Sequence, residues 1–341
     1  MNKTALHADF LLLLTSAIWG FAFVAQRVGM EYIGPFTYNG IRFALGSLSL
    51  LPLIIIRNRM GKQSVTAKHQ IDVPQKAASV GQDASAQAYH QHTPDKRYPN
   101  NKKSKWSSTM LACSLLAGAV LFVGASLQQA GMQFATAGKG GFLTGLYVVL
   151  VPIIGIFLGH KTKLPTWIGA LLACGGLYFL SAPETNGSIN PGDILVTISA
   201  FFWSFHVLII DRLSKTIDVI KLAASQFAWC ALFSLITAAI FEPVAPLPIL
   251  RALLPILYGG LCSVGIAYTL QVVAQKNAPP AHASILLSLE GAFAALGGIL
   301  ILSEPVTAKN TIGSLLMLSA MVATQWDIIF RKPAQAEALH Q

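Results

Sequence analysis

Charge is the property that this 341-residue sequence has least of, because Asp, Glu, Lys and Arg make up only 11% of it. A typical soluble domain has about 25% charged residues, so an ordinary soluble domain is excluded. The four cysteines all lie in apolar stretches and show no CxxC or metal-ligand spacing, so we expect neither a disulfide framework nor a metal site. The HExxH and GxSxG patterns are also missing from the sequence, and no enzyme is indicated.

Long apolar runs take the place of charge, and hydrophobic residues make up 54% of the chain. A helix crosses the roughly 30 Å hydrocarbon core of a bilayer with about 20 apolar residues. Backbone polar groups must be satisfied within such a segment, so helices are the expected form. We predict ten transmembrane helices, at residues 9–28, 34–57, 107–131, 137–159, 165–183, 191–211, 217–241, 250–274, 280–303 and 308–330.

The second half of the chain repeats the first. Early in each half the best match is obtained by adding 184 to the residue number, and later by adding 144. The matched positions include Trp19 with Trp203, Phe43 with Phe227 and, at the second shift, Leu143 with Leu287. Five helices per half is an odd number, so the two copies must have opposite orientations in the bilayer. The predicted fold is therefore an all-α polytopic membrane protein, with two inverted five-helix repeats around a central cavity. Repeats of this kind build solute carriers.

The domain boundaries follow from this repeat. Residues 1–183 form the first repeat, 184–333 the second and 334–341 a short tail. The polar stretch 58–106 accounts for nearly all of the 40-residue change in shift and has few large apolar residues, so we predict a disordered cytoplasmic insert. The apolar N-terminal segment resembles a signal peptide, but it has an internal counterpart through Trp19 and Trp203, so we expect it to be retained.

The distribution of basic residues predicts the topology. With both termini in the cytoplasm, 19 Lys and Arg fall on the cytoplasmic side, four fall on the far side, and Arg42 lies within a helix. This is the positive-inside bias, and it accounts for the net charge of +10 without any nucleic-acid partner. We expect a multi-pass protein of the cell (inner) membrane, whose partners are the lipid bilayer and a small-molecule substrate.

Two charged residues lie near the middle of predicted helices, Arg42 in the second and Glu290 in the ninth. A charge at the bilayer centre costs at least ~2.5–3.5 kcal/mol and usually has a partner or faces a water-filled cavity. Two interpretations stay open. Arg42 and Glu290 could form a structural ion pair between the halves, or they could line a cavity that binds substrate or carries a coupling proton.

Other polar and aromatic residues lie at similar depths. Asn39 is on the helix face of Arg42, three residues away, and Gln226 is the repeat counterpart of Arg42. Trp19 and Trp203 are mid-helix, so they are not interfacial belt residues; they either pack in the core or form walls of a cavity. A lone His206 is expected to be hydrogen-bonded rather than functional. The candidate site residues are Arg42, Glu290, Trp19, Trp203, Asn39, Gln226, Gln128, Tyr147 and Tyr268.

Several stretches resemble one known family. They are SAIWGFAFV in helix one with its copy SAFFWSFHV in helix six, IRFA in helix two, AGKGGFLTGLYVVLVPIIGIFLG in helix four and SILLSLEGAFAALGGILILSEPVT in helix nine. Together they are similar to the ten-helix EamA-type members of the drug/metabolite transporter superfamily. The resemblance implies two inverted five-helix repeats around a central cavity that exports or imports small organic solutes. One departure is that Gly159-His160 follows helix four, where the family often has a glycine and an acid; helix nine ends in Ser303-Glu304.

The expected function is secondary-active transport of small organic metabolites such as amino acids, amines or drug-like compounds, by alternating access, with export favoured. No cofactor is expected, and a proton or other ion gradient would supply the energy. A lipid-carrier flippase and a non-transporting membrane scaffold are the alternatives. The sequence does not specify the substrate, the direction of transport, the coupling ion or the oligomeric state.

Overall fold

The computed structural model describes residues 3–59, 108–159, 164–181 and 190–330. Regular structure in these ranges is helical throughout, without a β-strand. The predicted insert lies almost entirely outside the described residues, as do His160 and the tail 334–341.

The helices of the first half follow the predicted segments closely. They are α1 (Lys3–Gly29), α2 (Pro35–Arg59), α3 (Ser108–Gly131), α4a (Ala137–Thr144), α4b (Tyr147–Phe157) and α5 (Leu164–Ser181). The second half contains α6 (Pro191–Ser214), α7 (Val219–Phe241), α8 (Leu253–Gln275), α9a (Pro280–Ser288), α9b (Glu290–Leu302) and α10 (Ala308–Phe330). A short helix, Pro246–Arg251, precedes α8.

Eight helical segments in the described ranges are long and apolar enough to cross a membrane, and α5 contains a shorter apolar one. The segments in α4 and α9 count as single spans across their breaks, as Ala137–Phe157 and Pro280–Leu302. The prediction of an all-α polytopic membrane protein is confirmed. The count of ten spans, their grouping into repeats and the domain boundaries stay predictions.

Local sequence explains where several helices begin. Proline is the first residue of α2, α6 and α9a, a position whose N–H would have no helical partner. The Asp218 carboxylate accepts hydrogen bonds from the first turn of α7. Glu242, at the end of α7, does the same for α2, accepting from Phe36 N at 2.8 Å and from Thr37 N at 2.7 Å.

Two helices are interrupted at matching positions. The first piece of helix four ends at Thr144 and the first piece of helix nine at Ser288, which lie 144 residues apart, the second repeat shift. In addition, α8 carries a π-helical stretch, Tyr258–Tyr268, in its middle. Irregular backbone at membrane depth is tolerated where it is buried in protein or lines a cavity, so the interruptions indicate where such a cavity lies.

Small residues allow the two interrupted helices to touch. A β-carbon placed on Gly141 would lie 2.7 Å from the Ala294 β-carbon and 3.1 Å from the Gly291 α-carbon. Both distances are well inside normal van der Waals contact, so α4a and α9b approach each other more closely than larger side chains would permit. On its other side, α9b packs against α1.

Candidate functional site

A buried cavity lies at the centre of the bundle, lined by side chains from α1, α2, α3, α4, α6, α8 and α9. Seven of the nine predicted site residues line it: Arg42, Glu290, Trp19, Trp203, Gln128, Tyr147 and Tyr268. The structure therefore brings together residues that are up to 271 positions apart in the chain, from Trp19 to Glu290.

The cavity is small. Its volume is about 30 Å³, measured as the space that water centres can occupy. One water needs roughly 10–15 Å³ by this measure, so the cavity has room for about two waters. An organic solute would not fit without movement of the surrounding helices. The conformation is therefore closed around its central polar groups.

The Arg42 side chain is only 2% exposed, yet most of its hydrogen-bonding capacity is unused. Its Nε donates to Asn39 Oδ1 at 2.9 Å, which confirms that the two residues share a helix face. Asn39 in turn donates from Nδ2 to the Ala125 carbonyl at 3.0 Å, which fixes its orientation. The guanidinium lies over the rings of Tyr38 and Phe43, at 5.3 and 5.0 Å from their centroids. Within the described ranges, only its Nε forms a hydrogen bond, and the residue lines the cavity.

Glu290 is the first residue of α9b, so its carboxylate projects from the helix interruption. It is 4% exposed and lines the cavity. Tyr147 begins α4b at the matching interruption, and its hydroxyl lies near Glu290 without forming a hydrogen bond of good geometry. No ion pair within 4.0 Å joins Arg42 to Glu290 among the described residues. The structural-pair interpretation is not observed in this conformation.

Aromatic rings form much of the cavity wall. Tyr268 packs edge-on against Trp19, with centroids 4.5 Å apart, and lies 6.1 Å from Trp203. Trp19 donates from Nε1 to the Ser263 carbonyl at 3.1 Å, within the π-helical stretch. Trp203 donates to Gln128 Oε1 at 2.7 Å. Trp203 and Tyr268 also belong to the largest apolar core cluster, so these two rings both pack in the core and form part of the cavity wall.

Two predicted residues do not line the cavity. Asn39 lies behind Arg42 and contacts it, as described above. Gln226 Oε1 accepts a hydrogen bond from His206 Nε2 at 3.0 Å, which also confirms that His206 is hydrogen-bonded. Gln226 is therefore not among the cavity-lining residues of this conformation, and its role in substrate binding or coupling stays a prediction. Its Nε2 is buried without a partner among the described residues.

The sequence prediction missed other polar groups of the cavity. Gln26 accepts a hydrogen bond from Gln128 Nε2 at 2.9 Å and extends the polar wall onto α1. Thr144, at the interruption of α4, and Ser263, in the π-helical stretch of α8, also line the cavity. Gln271 also lines the cavity, and its Oε1 is buried without a hydrogen-bond partner among the described residues, so it is available to a ligand.

A membrane helical bundle with paired helix interruptions and charged groups in a buried central cavity has the architecture of a solute transporter. The model of the EamA-like transporter family matches residues 6–69, 94–182 and 190–325. The chain belongs to the EamA-like transporter family, as its sequence motifs predicted. It is a multi-pass membrane transporter, and membership of this family agrees with a non-enzymatic protein.

Similar proteins agree with this assignment. An uncharacterized transporter of Archaeoglobus fulgidus is 27% identical over 93% of this chain and 85% of its own. The uncharacterized transporter YoaV of Bacillus subtilis is 24% identical over 94% of this chain and 97% of its own. A solved crystal structure, at 15% identity, superposes with a TM-score of 0.67 over 94% of this chain and 96% of that chain, which supports the fold alone.

Proposed function

We propose that the protein is a secondary-active exporter of small organic metabolites that carry an amine, a carboxylate or both, such as amino acids. One observation carries the proposal. Arg42 and Glu290 line the same central cavity, and neither side chain forms an ion pair within the described chain. Unpaired charges in a membrane interior are costly and mark substrate or ion pathways.

The cavity groups suit a zwitterion or an amine. A guanidinium binds a carboxylate through two parallel hydrogen bonds, and Arg42 has both terminal nitrogens free for this. Glu290 would accept hydrogen bonds from a substrate ammonium group. The faces of Trp19, Trp203 and Tyr268 would cover the apolar part of the solute or a cationic head.

Alternating access would follow from movement at the helix interruptions. The closed cavity of about 30 Å³ corresponds to an occluded state, and a substrate would enter only after one end of the bundle opens. The interrupted helices α4 and α9 supply short half-helices, α4a and α9a, at the two ends of the cavity. Each half-helix can tilt with little disturbance of its other half.

An ion gradient would supply the energy, and Glu290 is the proposed proton carrier. Its carboxyl would take up a proton from one side and release it to the other as the cavity alternates. Because the substrate ammonium and the proton compete for the same oxygens, substrate would be released when Glu290 is protonated. Such competition couples proton entry to substrate exit without a nucleotide.

The test begins with comparative metabolite profiling of the medium, with a host strain that carries or lacks the gene. Export predicts that an amine- or carboxylate-bearing solute accumulates outside only when the gene is present. The solute is then assayed in inverted vesicles with an imposed proton gradient. Uptake that does not depend on the gradient would contradict the coupling mechanism. Unchanged solutes together with altered lipid-linked intermediates would instead favour the flippase.

A further inference from the structure

Two acidic residues that the repeat places in equivalent positions each contact a basic side chain on another helix. Asp193, in the first turn of α6, lies 184 residues after Asp9, near the start of α1, so the first repeat shift matches them. Asp193 forms an ion pair with Lys139 Nζ at 2.5 Å. Asp9 contacts His282 Nε2 at 2.7 Å.

The two basic partners are also related by the repeat. Lys139 lies in α4a and His282 in α9a, the matching half-helices. They are 143 residues apart, one fewer than the second shift of 144. A one-residue offset within a helical turn leaves both side chains near the same end of their half-helix. The two contacts are therefore copies of one arrangement.

The copies are at opposite ends of the bundle. Asp9 and His282 are near the beginnings of α1 and α9, and Asp193 and Lys139 are near the beginnings of α6 and α4. If the helices of the chain cross the membrane in alternation, α1 and α9 begin at one face and α4 and α6 at the other. Positive-inside counting assigns the Asp9 end to the cytoplasm. Each contact joins the first helix of one predicted repeat to the interrupted helix of the other.

We propose that these two contacts are the gates of the transporter: Asp9–His282 closes the cytoplasmic end of the central cavity, and Asp193–Lys139 closes the external end. The proposal rests on the alternating-access function proposed above. All four helices involved, α1, α4, α6 and α9, supply residues to the cavity wall. Separating either pair frees a half-helix whose other end borders the cavity, so each pair controls one entrance.

The two gates differ in strength. All four side chains are partly buried, between 13% and 26% exposed, so water weakens the pairs less than at an open surface. At the external end a second contact reinforces the pair: the Glu304 carboxylate accepts from the backbone N–H groups of Ala137, at 2.8 Å, and Gly138, at 3.4 Å. At the cytoplasmic end, α9a begins at Pro280, and no side chain caps its N-terminus. The external gate should consequently need more than one substitution to open fully.

The test measures access to the cavity directly. In the full chain, the native cysteines Cys113, Cys174, Cys230 and Cys262 are replaced by alanine, and Thr144→Cys places one reporter in the cavity wall. A membrane-impermeant maleimide is applied to right-side-out and inverted vesicles. Asp9→Asn should raise labelling from the cytoplasmic side about fivefold relative to labelling from outside, which corresponds to ~1 kcal/mol. Asp193→Asn should shift the ratio in the opposite direction, and further when combined with Glu304→Gln.

Lys215→Gln is the matched control. It breaks an ion pair with Asp211 at 2.8 Å, but that pair joins α6 only to its own C-cap residue and not to another helix, so the labelling ratio should not change. If a neutralised variant does not insert into the membrane, double-cysteine variants take its place. They are Asp9→Cys with His282→Cys for the cytoplasmic gate and Asp193→Cys with Lys139→Cys for the external gate. Each disulfide should abolish labelling from its own side only, and reduction should restore it.

The outcomes separate this proposal from alternating access. An unchanged ratio in both neutralised variants, or disulfides that leave labelling from their own side intact, would overturn the gate assignment while alternating access stands. A reporter that is labelled from one side only in every variant and in the disulfide-free parent would contradict alternating access itself, and with it the gates.

Discussion

Replacing Arg42 with glutamine would remove the only cation among the described side chains that line the cavity and keep a polar group at that depth. Gln226 is the repeat counterpart, so a helix of this bundle already accommodates glutamine at the matching position. The substitution loses one hydrogen bond to Asn39 and two ring contacts, together worth ~1–3 kcal/mol. It also removes the cost of a mid-membrane charge, ~2.5–3.5 kcal/mol. These contributions nearly cancel, so we expect near-normal abundance in the membrane.

The effect on recognition should be much larger. A hydrogen bond to a charged group contributes ~1.5–3 kcal/mol, and Arg42 has a two-pronged donor free for a substrate carboxylate. Loss of about 3 kcal/mol lowers affinity roughly 150-fold for a solute with a carboxylate. A primary amine without the carboxylate has nothing to lose and should bind as before.

The assay follows from that contrast. Once an exported solute is identified, its uptake into inverted vesicles is measured in competition with a panel of α-amino acids and the corresponding decarboxylated amines. Wild-type protein should prefer the acids, and Arg42→Gln should lose the preference through weaker inhibition by the acids alone. An Arg42→Gln protein that still discriminates acids from amines as wild type does would refute the role of Arg42 as the carboxylate ligand.

Three further predictions concern packing, the charged pair and the insert. Gly141→Val should lower the melting temperature of the detergent-solubilised protein, because the valine side chain would collide with Ala294 and Gly291. The control Gly175→Ala, whose added β-carbon has its nearest neighbour 3.8 Å away, should leave the melting temperature unchanged. Equal melting temperatures of the two variants would refute the close packing of α4a on α9b. Since Arg42 and Glu290 are not paired in this conformation, the double substitution Arg42→Gln with Glu290→Gln should be no more abundant than the single variants, and a restored abundance on immunoblots would reveal a structural pair. Deleting residues 64–103 should preserve membrane insertion and transport, because the second half has no segment that corresponds to the insert and long loops contribute little to stability. Loss of transport at normal abundance would show a direct role for the insert.

Three features of the sequence predicted the helical fold and most of the residues that line the cavity. In a chain with 11% charged residues, a charge within an apolar run is conspicuous, and Arg42 and Glu290 were found in that way. Trp19 and Trp203 were found because they match across the repeat. Helix bounds agree within a few residues because loss of apolar character and proline mark the ends.

Other features depend on how helices meet, and a single segment does not encode them. Gln226 looked equivalent to Arg42, but a hydrogen bond to His206 on a neighbouring helix turns it away from the cavity. Gln26 was not predicted as a site residue, and only the position of α3 reveals its contact with Gln128. The break in α4 lies in an apolar stretch without a charge, and the break in α9 adjoins Glu290, but a charge alone does not predict an interruption and small residues allow several packings there. The shift of 184 residues relates Asp9 to Asp193, but it does not reveal that these residues contact His282 and Lys139.

Transport by Glu290→Gln in vesicles with an imposed proton gradient tests the central claim most directly. Glutamine keeps the volume of Glu290 but has no titratable carboxyl group. The variant should therefore reach the membrane at near-normal abundance and lose gradient-driven accumulation of the exported solute. Glu31→Gln, the same chemical change at an exposed position after α1, is the control and should transport as wild type does. Near-normal accumulation by Glu290→Gln that still responds to the proton gradient would contradict the account.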